Sequence, residues 1–358
     1  MRFLFKTRYE QDLGIWKDRH QAFWYLLLLG LLLIAPWVLP VYYQTQVTFI
    51  FIYSIVGFGL MLLSGFTGQI SMGHAAFLAL GAYTEAILQA QGWPFIASAP
   101  MAVLVAALAG VVIGLPALRL TGIYLAIATL AFGFIVEEGL ARFDGLTGGN
   151  SGMMVLSLNV ATGETEWQYT FYFVALACVV LTGLGIHNLL RSPTGRAFVA
   201  VRDSEVSAQS MGVNLAFYKT LSFAISAGVT GLAGALYAHQ IQFLSPEQFT
   251  LVVSIEFLMM VVIGGLGSLH GAVFGAVFLI GLPEFIGGLK DFLPSGVTEQ
   301  PGLKPTLFGI MMILIVLYEP LGIYGRWVKI RTYFSLFPLY KKGMFDRQKA
   351  YQKSERVR

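Results

Sequence analysis

A chain of 358 residues that is 56% hydrophobic and only 12% charged falls far from soluble domains, which carry about 25% charge, and reads as a membrane protein. Its single cysteine, Cys178, excludes an internal disulfide. The net charge of +4 does not mark a nucleic-acid binder, because ten of the 23 bases follow Gly325 and no basic fold domain accompanies them.

A helix of about 20 apolar residues crosses the hydrocarbon core, and about ten segments fit that template, so the predicted fold is an all-α polytopic membrane protein. Residues 1–21 carry five bases and read as a tail. The first apolar run, 22–39, is followed by no small-residue cleavage site, since Trp37, Val38, Leu39 and Pro40 are bulky or rigid, and a retained span is expected. The second segment is 47–63. Polar residues at 65–71 interrupt the chain before the third, 72–88. The fourth is 95–115, a turn with Arg119 follows, and the fifth, 122–136, is short. The third and fifth either span or re-enter. A polar loop, 137–168, precedes the sixth segment, 169–190. The remaining segments are 220–238, 251–266, 272–289 and 303–317. Residues 22–319 thus form one transmembrane domain, and 320–358 a basic tail.

Charge sets the sidedness. Loop 191–219 carries Arg191, Arg196, Arg202 and Lys219 against Asp203 and Glu205, whereas 137–168 sets Arg142 against five acids. Basic segments near spans stay cytoplasmic, so an even number of crossings places both tails and loop 191–219 inside, with the acidic loop outside.

Loop 191–219 also reads as folded. Ser192 suits an N-cap and Pro193 the first helical position. Ala197, Ala200, Val201, Ser204, Ala208 and Met211 keep helical spacing, and Gly212 is a natural stop, which predicts one helix ending there. Either a partner docks on it or it is an inert connector. Within the spans, Gly110 and Gly114, then Gly228, Gly231 and Gly234, then Gly267, Gly271 and Gly275 recur at spacings that let helices approach closely.

Enzymatic chemistry needs titratable groups that converge. The buried candidates, His74, Glu85, His187, Glu256, His270 and Glu284, scatter over several segments. No zinc-protease, paired Cys–His or nucleophile-elbow motif occurs, and the glycine-rich run at 264–271 lacks the lysine of a phosphate-binding loop. No catalytic, metal or cofactor site is expected. Passage through the membrane is better supported. Residues 64–74 set Thr67, Gln69, Ser71, Gly73 and His74 beside flexible backbone, and a helix starting near Ser71 would offer free N–H groups to a carboxylate. A tight cytoplasmic turn is the other reading. Glu256 is an acid within a span and a candidate by that cost alone, unless it lies near the outer interface. The turn-rich stretch 144–152, with Glu164 and Glu166 nearby, is either an acidic surface for an external partner or a solvated loop.

Five motifs in this order, GFTGQISMGHAAFLALGAY at 65–83, RLTGIYLAIATLAFG at 119–133, DGLTGGNSGM at 144–153, SPTGRAFVAVRDSEVSAQSMGVN at 192–214 and VVIGGLGSLHGAVFGA at 261–276, resemble the permease subunits of ABC importers for branched-chain amino acids, of the LivM type. The likeness covers most of residues 47–320. It implies the importer permease fold in the inner membrane, a second related permease, two cytoplasmic ATPase subunits that bind the ATP, and an external solute-binding protein. It also implies that the helix docking on the ATPase falls on residues 196–212, with Arg196, Arg202, Asp203, Ser204, Glu205 and Gly212. Permeases for urea, short amides and aromatic acids look similar, and an ion-coupled transporter working alone is the reading from another class.

Overall fold

The computed structural model describes residues 19–118, 120, 122–156, 166–289 and 322–336, with scattered positions between 306 and 318. Its long elements are helices, because backbone in hydrocarbon must satisfy its own polar groups. Helices α1 (Arg19–Val38) and α2 (Val41–Leu60) open the bundle, and α2 runs on through a π-helical turn at Met61–Phe66. After an irregular stretch come α3 (His74–Ala90), α4 (Phe95–Gly114) and α5 (Ile123–Arg142). Helix α6 (Glu166–Arg191) leads into two short helices, α7 (Pro193–Asp203) and α8 (Glu205–Ser210). Helices α9 (Leu215–Ile241), α10 (Leu251–Gly264), α11 (Leu269–Leu289) and α12 (Gly322–Leu336) follow.

Among the described residues six helices are long and apolar enough to cross a membrane, and α1 and α11 supply two shorter apolar ones. With α3, these account for nine of the predicted segments. The tenth, 303–317, lies largely outside the described residues, as do most of the two tails. Two boundaries differ from expectation. The fifth segment is not short: α5 continues to Arg142, where Glu138 and Arg142 pair one turn apart and carry the helix out through its polar end. Helix α9 starts at Leu215 rather than near residue 220, because the Asn214 side chain caps it by accepting the Phe217 N–H at 3.2 Å.

Helices α2 and α9 form the centre. In each, 72% of the most apolar window is buried, against 17% in α6, which is open to its surroundings along most of its length. Pro36 in α1 cannot donate to the Leu32 carbonyl, and the Tyr172 hydroxyl from α6 supplies that hydrogen bond at 2.9 Å. Helix α3 lies against α9 with almost no separation: a Cβ on Gly81 would collide with the Gly231 carbonyl oxygen, and one on Gly234 with that of Leu78. The small-residue seam expected at Gly228, Gly231 and Gly234 is therefore a backbone-to-backbone contact. Gly81→Leu is expected to cost about 3 kcal/mol or more through overpacking. Size-exclusion chromatography in detergent should show loss of the folded peak, while Gly139→Leu, at a position with open space, leaves it unchanged.

The bundle has two ends. Loop 191–214, the π-helical turn and the starts of α1 and α5 share one, here called the basic end. At the opposite, acidic end the chain after α5 forms a helical turn, Asp144–Thr147, reversed at Gly148 (φ +73°). It then pairs as β1 (Met153–Met154) antiparallel to β2 (Phe243–Leu244), with Met153 opposite Leu244.

Candidate functional site

The interruption before α3 is a re-entrant segment. It leaves the basic end at Gly65 and returns into the bundle, so that His74 starts α3 beside Ser226. Ser226 is eleven residues into α9, about 16 Å along its axis, which puts the break well inside the membrane. Irregular backbone persists at that depth only where protein or a water-lined cavity satisfies it, and several groups freed at this break find protein partners. The Thr67 N–H and hydroxyl both donate to the Leu62 carbonyl, and the Gln69 N–H donates to that of Leu63. The Met72 N–H donates to the Thr129 hydroxyl at 2.9 Å, and the Gln69 amide reaches the Ser222 hydroxyl at 3.3 Å. Only glycine fits at 73, since a Cβ there would run into the Thr129 carbonyl oxygen.

His74 is fully buried and holds this break together. The Ser226 hydroxyl donates to the Gly59 carbonyl at 2.7 Å, so it accepts from His74 Nε2–H at 2.8 Å. His74 Nδ1 then accepts from the Ser71 hydroxyl at 2.9 Å, and Ser71 accepts the Gly73 N–H. One neutral tautomer satisfies the whole chain of groups from α2 to α9. The carboxylate-binding helix start expected from the sequence is instead capped from within: the Ala75 N–H donates to the Ser254 hydroxyl of α10 at 3.0 Å, and the Ala76 N–H to the Gly73 carbonyl. Thr67, Gln69, Ser71, Gly73 and His74 are thus brought together. Glu256 is not; it lies half-buried on α10, in the second turn from the acidic end.

The polar loop is two helices rather than one. Ser192 caps α7, accepting the Gly195 N–H at 3.4 Å with Pro193 at the first position, as its sequence predicts. The helix then stops at Ser204, whose extended backbone (φ −164°, ψ 113°) breaks the run and whose side chain caps α8 through the Ser207 N–H. Two of the expected docking residues reach inward. Arg202 Nη1 donates to the Gly65 carbonyl at 3.0 Å while its Nε and Nη2 hold Asp203, and Glu205 pairs at 2.7 Å with Lys219, which is buried in α9. Arg196, Asp203, Ser204 and Gly212 remain exposed. So do two apolar side chains that the periodicity does not single out as surface: Val206 is 80% exposed and Met211 85%.

At the acidic end a second buried network clamps the loop that follows α5. Glu85 accepts from the Ser98 hydroxyl at 2.7 Å and pairs at 3.0 Å with His239, whose other nitrogen donates to the Leu156 carbonyl. Gln89 bonds both the N–H and the carbonyl of Leu156. Apolar length alone ends the seventh segment at residue 238; His239 instead continues α9 and is buried. Stretch 144–152 is turn-rich, as its residues predict, but the exposed side chains in and beside it include Phe143, Leu146 and Met154. Glu164 and the side chain of Glu166 lie outside the described residues.

The family described as "Branched-chain amino acid transport system / permease component" matches residues 42–316. The high-affinity branched-chain amino acid transport system permease proteins LivM of Salmonella typhimurium and of Escherichia coli K12 are each 36% identical to this chain over 302 residues, covering 77% of it and 68% of their own length. The permease protein LivH of the same named system in Escherichia coli K12 is 23% identical over 294 residues, covering 76% and 91%. No solved structure matches the chain.

Proposed function

The chain belongs to the permease-component family of branched-chain amino acid transport systems, and from that premise we propose that it forms one membrane half of an ATP-driven importer for branched-chain or closely related amino acids. The observation that carries this reading is α7–α8: a capped, folded pair of helices, with its flank, that projects Val206 and Met211 from the basic end of a membrane bundle. Two large apolar side chains left exposed on a polar element outside the apolar spans fit a surface that another protein covers. The sequence has no phosphate-binding loop of its own, so the ATP is bound and hydrolysed by separate chains, and α8 with its flanks Arg196, Asp203, Ser204 and Gly212 is where they dock.

Two ATPase subunits sit on the cytoplasmic side, where the basic end faces by the positive-inside rule, and both tails lie on that side of the inner membrane. The other membrane half is a second permease; LivM and LivH, two differently named permeases of one system in one organism, are both similar to this chain. An external solute-binding protein meets the acidic end. Closure of the ATPase pair moves the docked helices. The re-entrant segment 67–73, a break between α2 and α3 that hydroxyl and imidazole side chains hold in place of helical bonds, is the part that rearranges to switch access. An aliphatic cargo needs an apolar passage with a few backbone dipoles; the central glycines are in backbone contact here, so that passage opens only when the bundle rearranges.

The test is assembly. The tagged chain, extracted gently from its own membrane, should bring down two ATPase chains and a second permease in fixed proportion. Purification of this chain alone, with transport driven by an ion gradient and indifferent to ATP, would end the reading.

A further inference from the structure

We propose that Arg202 is the positioning residue through which α7 and α8 set the re-entrant segment, a role that rests on the importer reading above. Its side chain joins three elements at the basic end. The first is the re-entrant segment itself: the stem packs on Gly68, where a Cβ would lie 2.9 Å from Arg202 Cγ in a backbone conformation, φ +76°, that already favours glycine. The second is the π-helical turn that ends α2. Nη1 donates to the Gly65 carbonyl there at 3.0 Å, at a carbonyl-rich helix terminus where a cation is favoured. The third is the turn between α10 and α11. A Cβ on Gly267 would lie 3.8 Å from Nη1, and the Gly267 N–H donates to the Met61 sulfur of the same π-helical turn at 3.1 Å.

From Gly68 only five residues separate this junction from His74, and the segment between is pinned by the hydrogen bonds to Leu63, Ser222 and Thr129. Such a segment has little slack and passes a displacement on. Asp203 holds the guanidinium through Nε and Nη2 at 3.0 and 2.9 Å, which leaves Nη1 for Gly65. A lysine cannot hold both partners in that fork.

The test uses the whole assembly with its ATPases and binding protein, and reads uptake per ATP hydrolysed, a ratio that a smaller folded fraction alone does not change. Arg202→Met is expected to keep the ATPase subunits while the ratio falls about tenfold, as for loss of one charge-assisted hydrogen bond, and Arg202→Lys to fall less. Where Arg202→Met folds poorly, Arg202→Gln keeps part of the stem and a neutral donor while removing the charged fork, and the ratio should fall in the same direction. An unchanged ratio in these variants overturns the proposal. Loss of the ATPase subunits from Arg202→Met also overturns it, by making Arg202 a docking contact. A wild-type chain that recovers no ATPase fails the importer reading itself, which is a separate outcome.

Discussion

A Val206→Asp, Met211→Asp double variant is expected to insert and fold as the parent does, yet to lose its ATPase partner. Both side chains are exposed in the isolated chain, at 80% and 85%, so charge there costs the fold little. In a docked complex the same positions lose water. Burying each apolar side chain contributes roughly 1.5–3 kcal/mol, and a buried unpaired carboxylate reverses the sign. Affinity for the ATPase should therefore fall by about a hundredfold or more, the range of interface hot spots. Pull-down of purified ATPase on the immobilised permease measures it, with Val206→Ile, Met211→Leu as the control that keeps binding. Equal recovery by the charged and the control variants would remove α8 from the interface.

His74→Phe is expected to abolish most transport for a different reason. The ring volume is roughly kept, but the Ser71 hydroxyl loses its acceptor and the Ser226 hydroxyl its donor at a fully buried position. Buried polar groups left unpaired cost about 1–3 kcal/mol each, enough to shift the break between α2 and α3 out of its present arrangement. ATP-driven uptake should fall by about tenfold or more on that energy, while the ATPase subunits still co-purify. His74→Gln, which can donate and accept, should recover part of the loss. Normal uptake by His74→Phe would leave the network a packing feature only.

The spans were legible because bilayer thickness fixes how long an apolar run must be, and the caps at Ser192 and Pro193 because their chemistry is local. The break at Ser204 was not. Helical spacing of small residues continues through it, so periodicity alone joins α7 to α8. The direction of Arg202 was hidden for a similar reason, since its acceptor is 137 positions away. His74 was visible as a polar residue beside glycine. Its meaning rests on Ser226, 152 positions on, and the pairing of Glu85 with His239 spans 154. Val206 and Met211 were obscured because helical spacing alone turns apolar residues inward, whereas both side chains are exposed.

Reconstitution decides the matter most directly: the purified permease pair with its ATPases in liposomes, the binding protein outside, and labelled leucine uptake followed with and without ATP enclosed. Uptake that needs enclosed ATP and stops when this chain is omitted is the expected result. Uptake by this chain alone on an ion gradient, or uptake unchanged in its absence, contradicts it.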